Sequence, residues 1–141
     1  MTDPAGRLPL EKLPVIREAA IAACDAADGV VDRVAEDPSR CDFDPGALRC
    51  AGSDGPACLT GTQIDLARRI YRGATNPRTG EQILPGPEPT SELEWAAYAG
   101  GFPIGANYVR DLVMGDPAWD PLSFDFDADV ATAQAHTLAH F

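Results

Sequence analysis

Three carboxylates, Asp25, Asp28 and Asp32, fall at spacings of three and four, with Gly29 after the second and Cys24 before the first. The residues before them, Leu10 to Ala23, read as a helix, so Asp25 and Asp28 stand at or just past its C-terminal end. Carbonyl oxygens point outward there and the helix dipole is negative. Carboxylates at that end are unfavourable unless a cation joins them. Calcium suits such a place, because it takes six to eight hard oxygen ligands and tolerates irregular geometry. The side chains of Asp25, Asp28 and Asp32 would coordinate it, and the carbonyls of Val30 and Val34 would fill the gaps. Gly29 would give the backbone a bend with φ > 0. Magnesium fits less well, since it prefers few protein ligands and ideal octahedral geometry. No Cys/His set stands at zinc spacing. The pattern is not an EF-hand: counting from Asp25 places Ala27 and Gly29 where that loop wants oxygen ligands. Spacing alone leaves open a plain alternative, an acidic, solvated helix end followed by a turn.

Around this loop the other elements can be laid out in order. Residues 1–9 read as a frayed lead-in. Pro14 is tolerable only in the first turn of the helix that follows. Ile16, Ala20, Ala23 and Cys24 make a stripe of mainly small residues at helical spacing. Residues 35–58 are rich in Pro and Gly and predict irregular structure. Thr60-Gly61-Thr62-Gln63 reads as a capping box, with Leu59 stapling on Ile64. The helix it starts buries Ile64, Ala67, Ile70 and Tyr71 and stops at Gly73. Its Arg68, Arg69 and Arg72 read as a solvated face near a C-terminus, where the dipole favours cations. Asn76-Pro77-Arg78-Thr79-Gly80 is turn chemistry, and Glu81–Leu84 a short strand, which together predict a small hairpin. Residues 85–89 are a rigid connector. Ser91 with Glu94 reads as a second capping box, opening a helix to Ala99. A further helix spans Gly105–Met114. Phe124-Asp125-Phe126-Asp127 alternates like a short strand, and residues 129–139 read as a last short helix.

The run Cys24-Asp25-x-x-Asp28-Gly29-Val30-x-Asp32, followed by Asp37-Pro38-Ser39-Arg40-Cys41-Asp42-Phe43-Asp44-Pro45, resembles the tannase/feruloyl esterase family. So do Cys58-Leu59-Thr60, Asn76-Pro77-Arg78-Thr79-Gly80-Glu81, Ser91-Glu92-Leu93-Glu94-Trp95 and Phe124-Asp125-Phe126-Asp127. The likeness runs over roughly residues 10–130 and fades after Ala131, leaving 132–141 as a divergent tail. Members of that family are secreted α/β-hydrolases with a large lid inserted in the catalytic domain. The resemblance places residues 10–131 in the lid: mainly α, with irregular loops and a small β-hairpin, stapled by calcium and disulfides. It implies that Asp25, Asp28 and Asp32, with the carbonyls of Val30 and Val34, bind a structural calcium ion. Where Arg33 stands the family often has glycine, so the backbone there is expected to be less free to wrap an ion.

Four cysteines allow three pairings. The resemblance implies Cys24–Cys41 and Cys50–Cys58, which would close loops of about 17 and about eight residues and contribute on the order of 3 kcal/mol each, less any strain. Such bonds require an oxidising compartment, so the family implies a secreted or periplasmic protein. Yet Met-Thr-Asp-Pro-Ala-Gly-Arg lacks the basic-then-apolar pattern of a signal peptide, which points to a fragment.

Composition sets outer bounds. The chain has 141 residues, too few for an α/β-hydrolase together with its lid, and 13 Pro with 13 Gly make loops abundant. A net charge of −11, from 11 basic and 22 acidic residues, argues against nucleic-acid and anionic-membrane partners. No run of about 18 apolar residues exists to span a membrane. Ester hydrolysis by a serine enzyme needs a nucleophile, a base and an oxyanion hole. None of Ser39, Ser53, Ser91 or Ser123 lies in a Gly-x-Ser-x-Gly elbow. His136 and His140 are close to the chain end and lack the Glu of an H-E-x-x-H pattern. No catalytic residue is therefore expected here, and the partner would be a hydrolase core carrying the triad. A lid encloses substrate and excludes water. Trp95, Tyr98, Phe102 and Tyr108 are the residues expected to contact an aromatic ester. The alternative from another class is a free-standing calcium-binding structural or interaction module.

Overall fold

The computed structural model describes residues 8–99 and 104–139; the side chains of Asp28, Tyr98, Ala99, Ile104 and residues 137–139 lie outside that description. The chain divides into two compact units, Met1–Thr75 with Gln82–Ala96, and Asn76–Glu81 with Ala97–Phe141. It is mainly helical, with one small antiparallel sheet and two disulfides.

In the first unit, a 3₁₀ turn at Leu10–Lys12 leads into α1 (Leu13–Cys24), with Pro14 in the first turn where its missing N–H costs nothing. Ile16, Ala20 and Cys24 are buried as the stripe predicts, but Ala23 is exposed. It lies one residue, about 100° around the helix, from Cys24, off the packed face. Residues 35–58 carry only short 3₁₀ turns, at Pro38–Arg40 and Pro45–Leu48. There Leu59 N–H donates to Leu48 O at 2.7 Å and Cys50 N–H to Leu59 O at 2.9 Å, a single parallel bridge closed by Cys50–Cys58. The capping box forms: Thr60 Oγ1 accepts from Gln63 N–H and Gln63 Oε1 from Thr60 N–H, opening α2 (Gly61–Arg72). Leu13, Ile16, Leu59, Ile64, Ala67 and Trp95 make the core, with Phe43, Leu48, Ile70 and Tyr71 packed on its edge.

Gly73 ends α2 at φ 80° and is followed by β1 (Ala74–Thr75), paired antiparallel with β2 (Gln82–Leu84). The chain then runs along the end of α2 at Gly86. A Cβ on Gly86 would lie 2.2 Å from Tyr71 O and 2.3 Å from Ile70 O, both backbone atoms that cannot step aside. The second capping box does not form. Ser91 Oγ donates backward to Glu88 O, and Glu92 turns inward, so Glu92–Glu94 is a 3₁₀ turn ahead of α3 (Trp95–Ala99).

In the second unit, α4 (Ile104–Tyr108) continues as a π-helical stretch, Val109–Met114, that ends at Gly115 with φ 62°. The alternating Phe124–Asp127 segment is not a strand. Asp125 Oδ1 accepts from the amides of Asp127 and Ala128, and Asp129 accepts from Asp125 N–H, so the segment caps α5 (Ala128–Ala139). Alternation here places Phe124 and Phe126 edge-to-face, and Trp119 also meets Phe124 edge-on. Asp127 is held by Arg78 through two hydrogen bonds and by Asn76 Nδ2.

Two predictions follow from this packing. Gly86→Ala should lower stability by more than about 2 kcal/mol, since no rotamer relieves a backbone clash; urea unfolding of the two proteins measures it. The Arg68 guanidinium holds the Asp44 carboxyl at about 2, helped by the Gly46 amide, and Arg78 with Asn76 holds Asp127 at about 2. Both lie below the ordinary aspartate value of 3.8. Carboxyls depressed in the folded state stabilise it above that value, and the contribution is lost as pH falls toward 2. Melts across that range should decline less steeply in Asp44→Asn and Asp127→Asn than in the unaltered chain.

Candidate functional site

The acidic loop is built directly on the end of α1. A 3₁₀ turn, Asp25–Asp28, continues the helix and stops at Gly29 with φ 94°, the left-handed bend expected of that glycine. The chain then turns back, and the nearly buried carboxylate of Asp25 receives it. Its Oδ1 accepts from Arg33 N–H at 2.7 Å and from Asp32 N–H at 3.1 Å. Asp32 Oδ1 in turn accepts from Val34 N–H at 3.0 Å. Cys24–Cys41 fixes the start of the loop, bridging 17 positions. The loop therefore brings Asp25 and Asp32 to one turn of chain, with Val30 and Val34 exposed on it.

Arg33 adopts φ 71°, the conformation a glycine would take without cost. The left-handed bend expected to be hindered there is made despite the side chain. Its guanidinium is tied to both oxygens of Glu18 on α1, at 2.7 and 2.8 Å, and this bond raises its pKa.

The donors offered by the loop are hard oxygens throughout, which fits calcium chemistry. Among the described residues no group of three or more His, Cys, Asp or Glu is gathered as a metal cluster; the side chain of Asp28, the middle member of the expected set, lies outside the description.

The described aromatic candidates, Trp95 and Tyr108, belong to different units. Trp95 is 4% exposed and packs in the first unit's core, edge-on to Tyr71 with ring centroids 4.8 Å apart. Phe43 meets Tyr71 edge-on at 6.3 Å. Tyr108 belongs to the second unit and is 44% exposed. The side chain of Tyr98 and all of Phe102 lie outside the described residues. The hydroxyls of Ser39, Ser91 and Ser123 bond to Asp37, Glu88 O and Asp120 O, all in their own turns.

Two groups escaped sequence reasoning. Lys12, in the first turn of a helix, is buried with its ammonium on Asp54, Cys58 O and Gln63 Oε1. Glu92 is fully buried, and its Oε1 accepts from Tyr71 OH at 2.5 Å and Thr90 N–H at 2.8 Å. Burial and this bond together push the Tyr71 hydroxyl well above the usual tyrosine range. No local signal marks Glu92, which stands between Ser91 and the exposed Leu93 and Glu94.

These features define a disulfide-bonded, mainly helical module with an acidic loop and no assembled nucleophile–base pair among its described serines. The family described as tannase and feruloyl esterase matches residues 1–108, and the chain belongs to that family. An uncharacterized esterase of Xanthomonas campestris is 39% identical, the match covering 97% of this chain and 26% of that protein. A probable feruloyl esterase B-2 of Aspergillus flavus is 36% identical over 83% of this chain and 23% of its own length. The crystal structure of an esterase from Aspergillus oryzae superposes with a TM-score of 0.81 at 28% identity, over 96% of this chain and 27% of that one. Feruloyl esterase B from Aspergillus oryzae gives 0.78 at 26% identity. The chain thus spans about a quarter of the length of the relatives it matches.

Arg33→Gly should raise the melting temperature, because relief of the left-handed backbone exceeds the loss of an exposed ion pair with Glu18. A thermal melt of the two proteins decides it; a lower midpoint for the glycine variant would mean that the Glu18 contact holds the loop.

Proposed function

We propose that this chain is the lid portion of a carboxylic ester hydrolase that acts on phenolic esters of the feruloyl or galloyl kind. The observation that supports the reading most is the superposition of 96% of the chain on 27% of an esterase. The absence of a Gly-x-Ser-x-Gly elbow from the sequence agrees with it. On this reading the partner is an α/β-hydrolase core that supplies Ser, Asp and His, and the chain alone is inactive. Trp95, Tyr98, Phe102 and Tyr108 remain the residues proposed to contact the aromatic part of the ester. The two disulfides and the esterase relatives favour a secreted or periplasmic location. Among the described residues no helix is long and apolar enough to cross a membrane.

The acidic loop serves this role as a structural calcium site, held by Asp25, Asp28 and Asp32 with the carbonyls of Val30 and Val34. Calcium would neutralise the carboxylates that crowd the negative end of α1. Asp25 already gathers the returning amides, so the chain supplies much of the loop's order itself.

Two measurements test the proposal. Calcium at a hundred times its dissociation constant should stabilise the oxidised chain by about 2.7 kcal/mol. That is a rise of several degrees in melting temperature, absent in Asp28→Ala. A melt indifferent to calcium and chelator removes the metal site. Separately, the purified chain should not hydrolyse methyl ferulate or methyl gallate; turnover by the chain itself would overturn the lid reading.

A further inference from the structure

Glu92 and Trp95 each leave one buried polar atom without a hydrogen-bond partner among the described residues: Glu92 Oε2, an acceptor, and Trp95 Nε1–H, a donor. A buried polar group without a partner is rare, and the usual explanation is an internal water or ion. The two residues stand one turn apart, and Trp95 N–H donates to Glu92 O within that turn. Residues three apart on such a turn share a face. Tyr71 braces both: its hydroxyl bonds Glu92 Oε1 and its ring packs against the indole. Thr90 N–H takes the other side of Oε1, at a residue whose φ of 79° is paid to bring that amide inward. With both donors on Oε1, the carboxylate is locked and Oε2 keeps a fixed direction.

We propose that Glu92 Oε2 and Trp95 Nε1–H hold one buried water molecule between them. The water accepts from the indole N–H and donates to Oε2, which matches its chemistry at each end. Each atom is shut off from solvent, and a buried polar group without a protein partner is the usual seat of an internal water. A metal ion does not fit, because an N–H donor points at it and only one carboxylate oxygen is free. This water goes beyond the lid reading and does not depend on it. Its effect is to set the rotation of the Trp95 ring within the core.

The test is water-to-indole magnetisation transfer in the ¹⁵N-labelled chain. Trp119 is the only other tryptophan, so loss of one indole signal in Trp95→Phe assigns the peak. A long-lived water cross-peak to the Trp95 Nε1–H is expected, and it should vanish in Glu92→Leu while the remaining amide spectrum keeps its dispersion. If Glu92→Leu does not fold, a high-resolution crystal structure of the unaltered chain decides, with a water within about 3.2 Å of both atoms as the expected result. Absence of the cross-peak in the folded chain overturns the proposal, as does a protein group found bonded to either atom in the crystal.

Discussion

The first unit depends on one buried ammonium. Lys12 is 4% exposed, and its three donors meet three acceptors: the Asp54 carboxylate, Cys58 O at 2.8 Å and Gln63 Oε1 at 2.9 Å. A lysine has three N–H bonds and no acceptor, so this set satisfies it completely. Each acceptor belongs to a different structural device. Asp54 and Cys58 lie in the loop closed by Cys50–Cys58, and Gln63 is the third residue of α2. The start of α1 is thereby fastened to the disulfide loop and to the capping box in one place. Asp54 keeps half of its side chain in solvent, so what losing the ammonium takes away is the tie that joins the start of α1 to Cys58 O and Gln63 Oε1.

The same site explains why α2 needs a glutamine and not merely a capping residue. Gln63 Oε1 accepts from Thr60 N–H and from Lys12, while Nε2 donates to Asp54 Oδ2 at 3.3 Å. A glutamate could accept both but not donate to Asp54, and it would add charge to a carboxylate already present. Below this polar layer, Leu59 lies between the two worlds. Its backbone closes the bridge with residues 48–50, and its side chain joins Ile16 and Ile64 in the core. Residues 35–58, which have little regular structure to satisfy their backbone, are held by two disulfides and this one bridge.

What could be read from sequence was local chemistry. The α2 capping box, the stop at Gly73, the hairpin strands and the bend at Gly29 are each fixed by residues within a few positions, and each is present. Local signals failed where a distant partner decided. Ser91 and Glu94 have capping-box spacing, but Glu92 is drawn inward by Tyr71, 21 positions away, and the box is lost. Phe124–Asp127 alternates like a strand but has no strand beside it, and Asp125 and Asp127 are taken by the start of α5 and by Arg78. Lys12 carried no local sign of burial, since its three acceptors lie 42 to 51 positions away.

On the proposed calcium reading, the backbone of the acidic loop is arranged before any ion arrives. A carboxylate offers about four lone-pair directions. Asp25 spends two of them, both on Oδ1, to draw the amides of Asp32 and Arg33 back toward the end of α1. That leaves directions on Asp25 for a cation, and it brings Asp32 to the same turn. The amides therefore organise the proposed calcium ligands without displacing the ion from them. Arg33 sits in the middle of the set, and a free guanidinium there would compete with any cation. Its side chain is instead held by both oxygens of Glu18 on α1, within electrostatic reach of Asp25. The departure from glycine at this position is thus accommodated in two parts: the backbone accepts the left-handed strain, and Glu18 takes the charge.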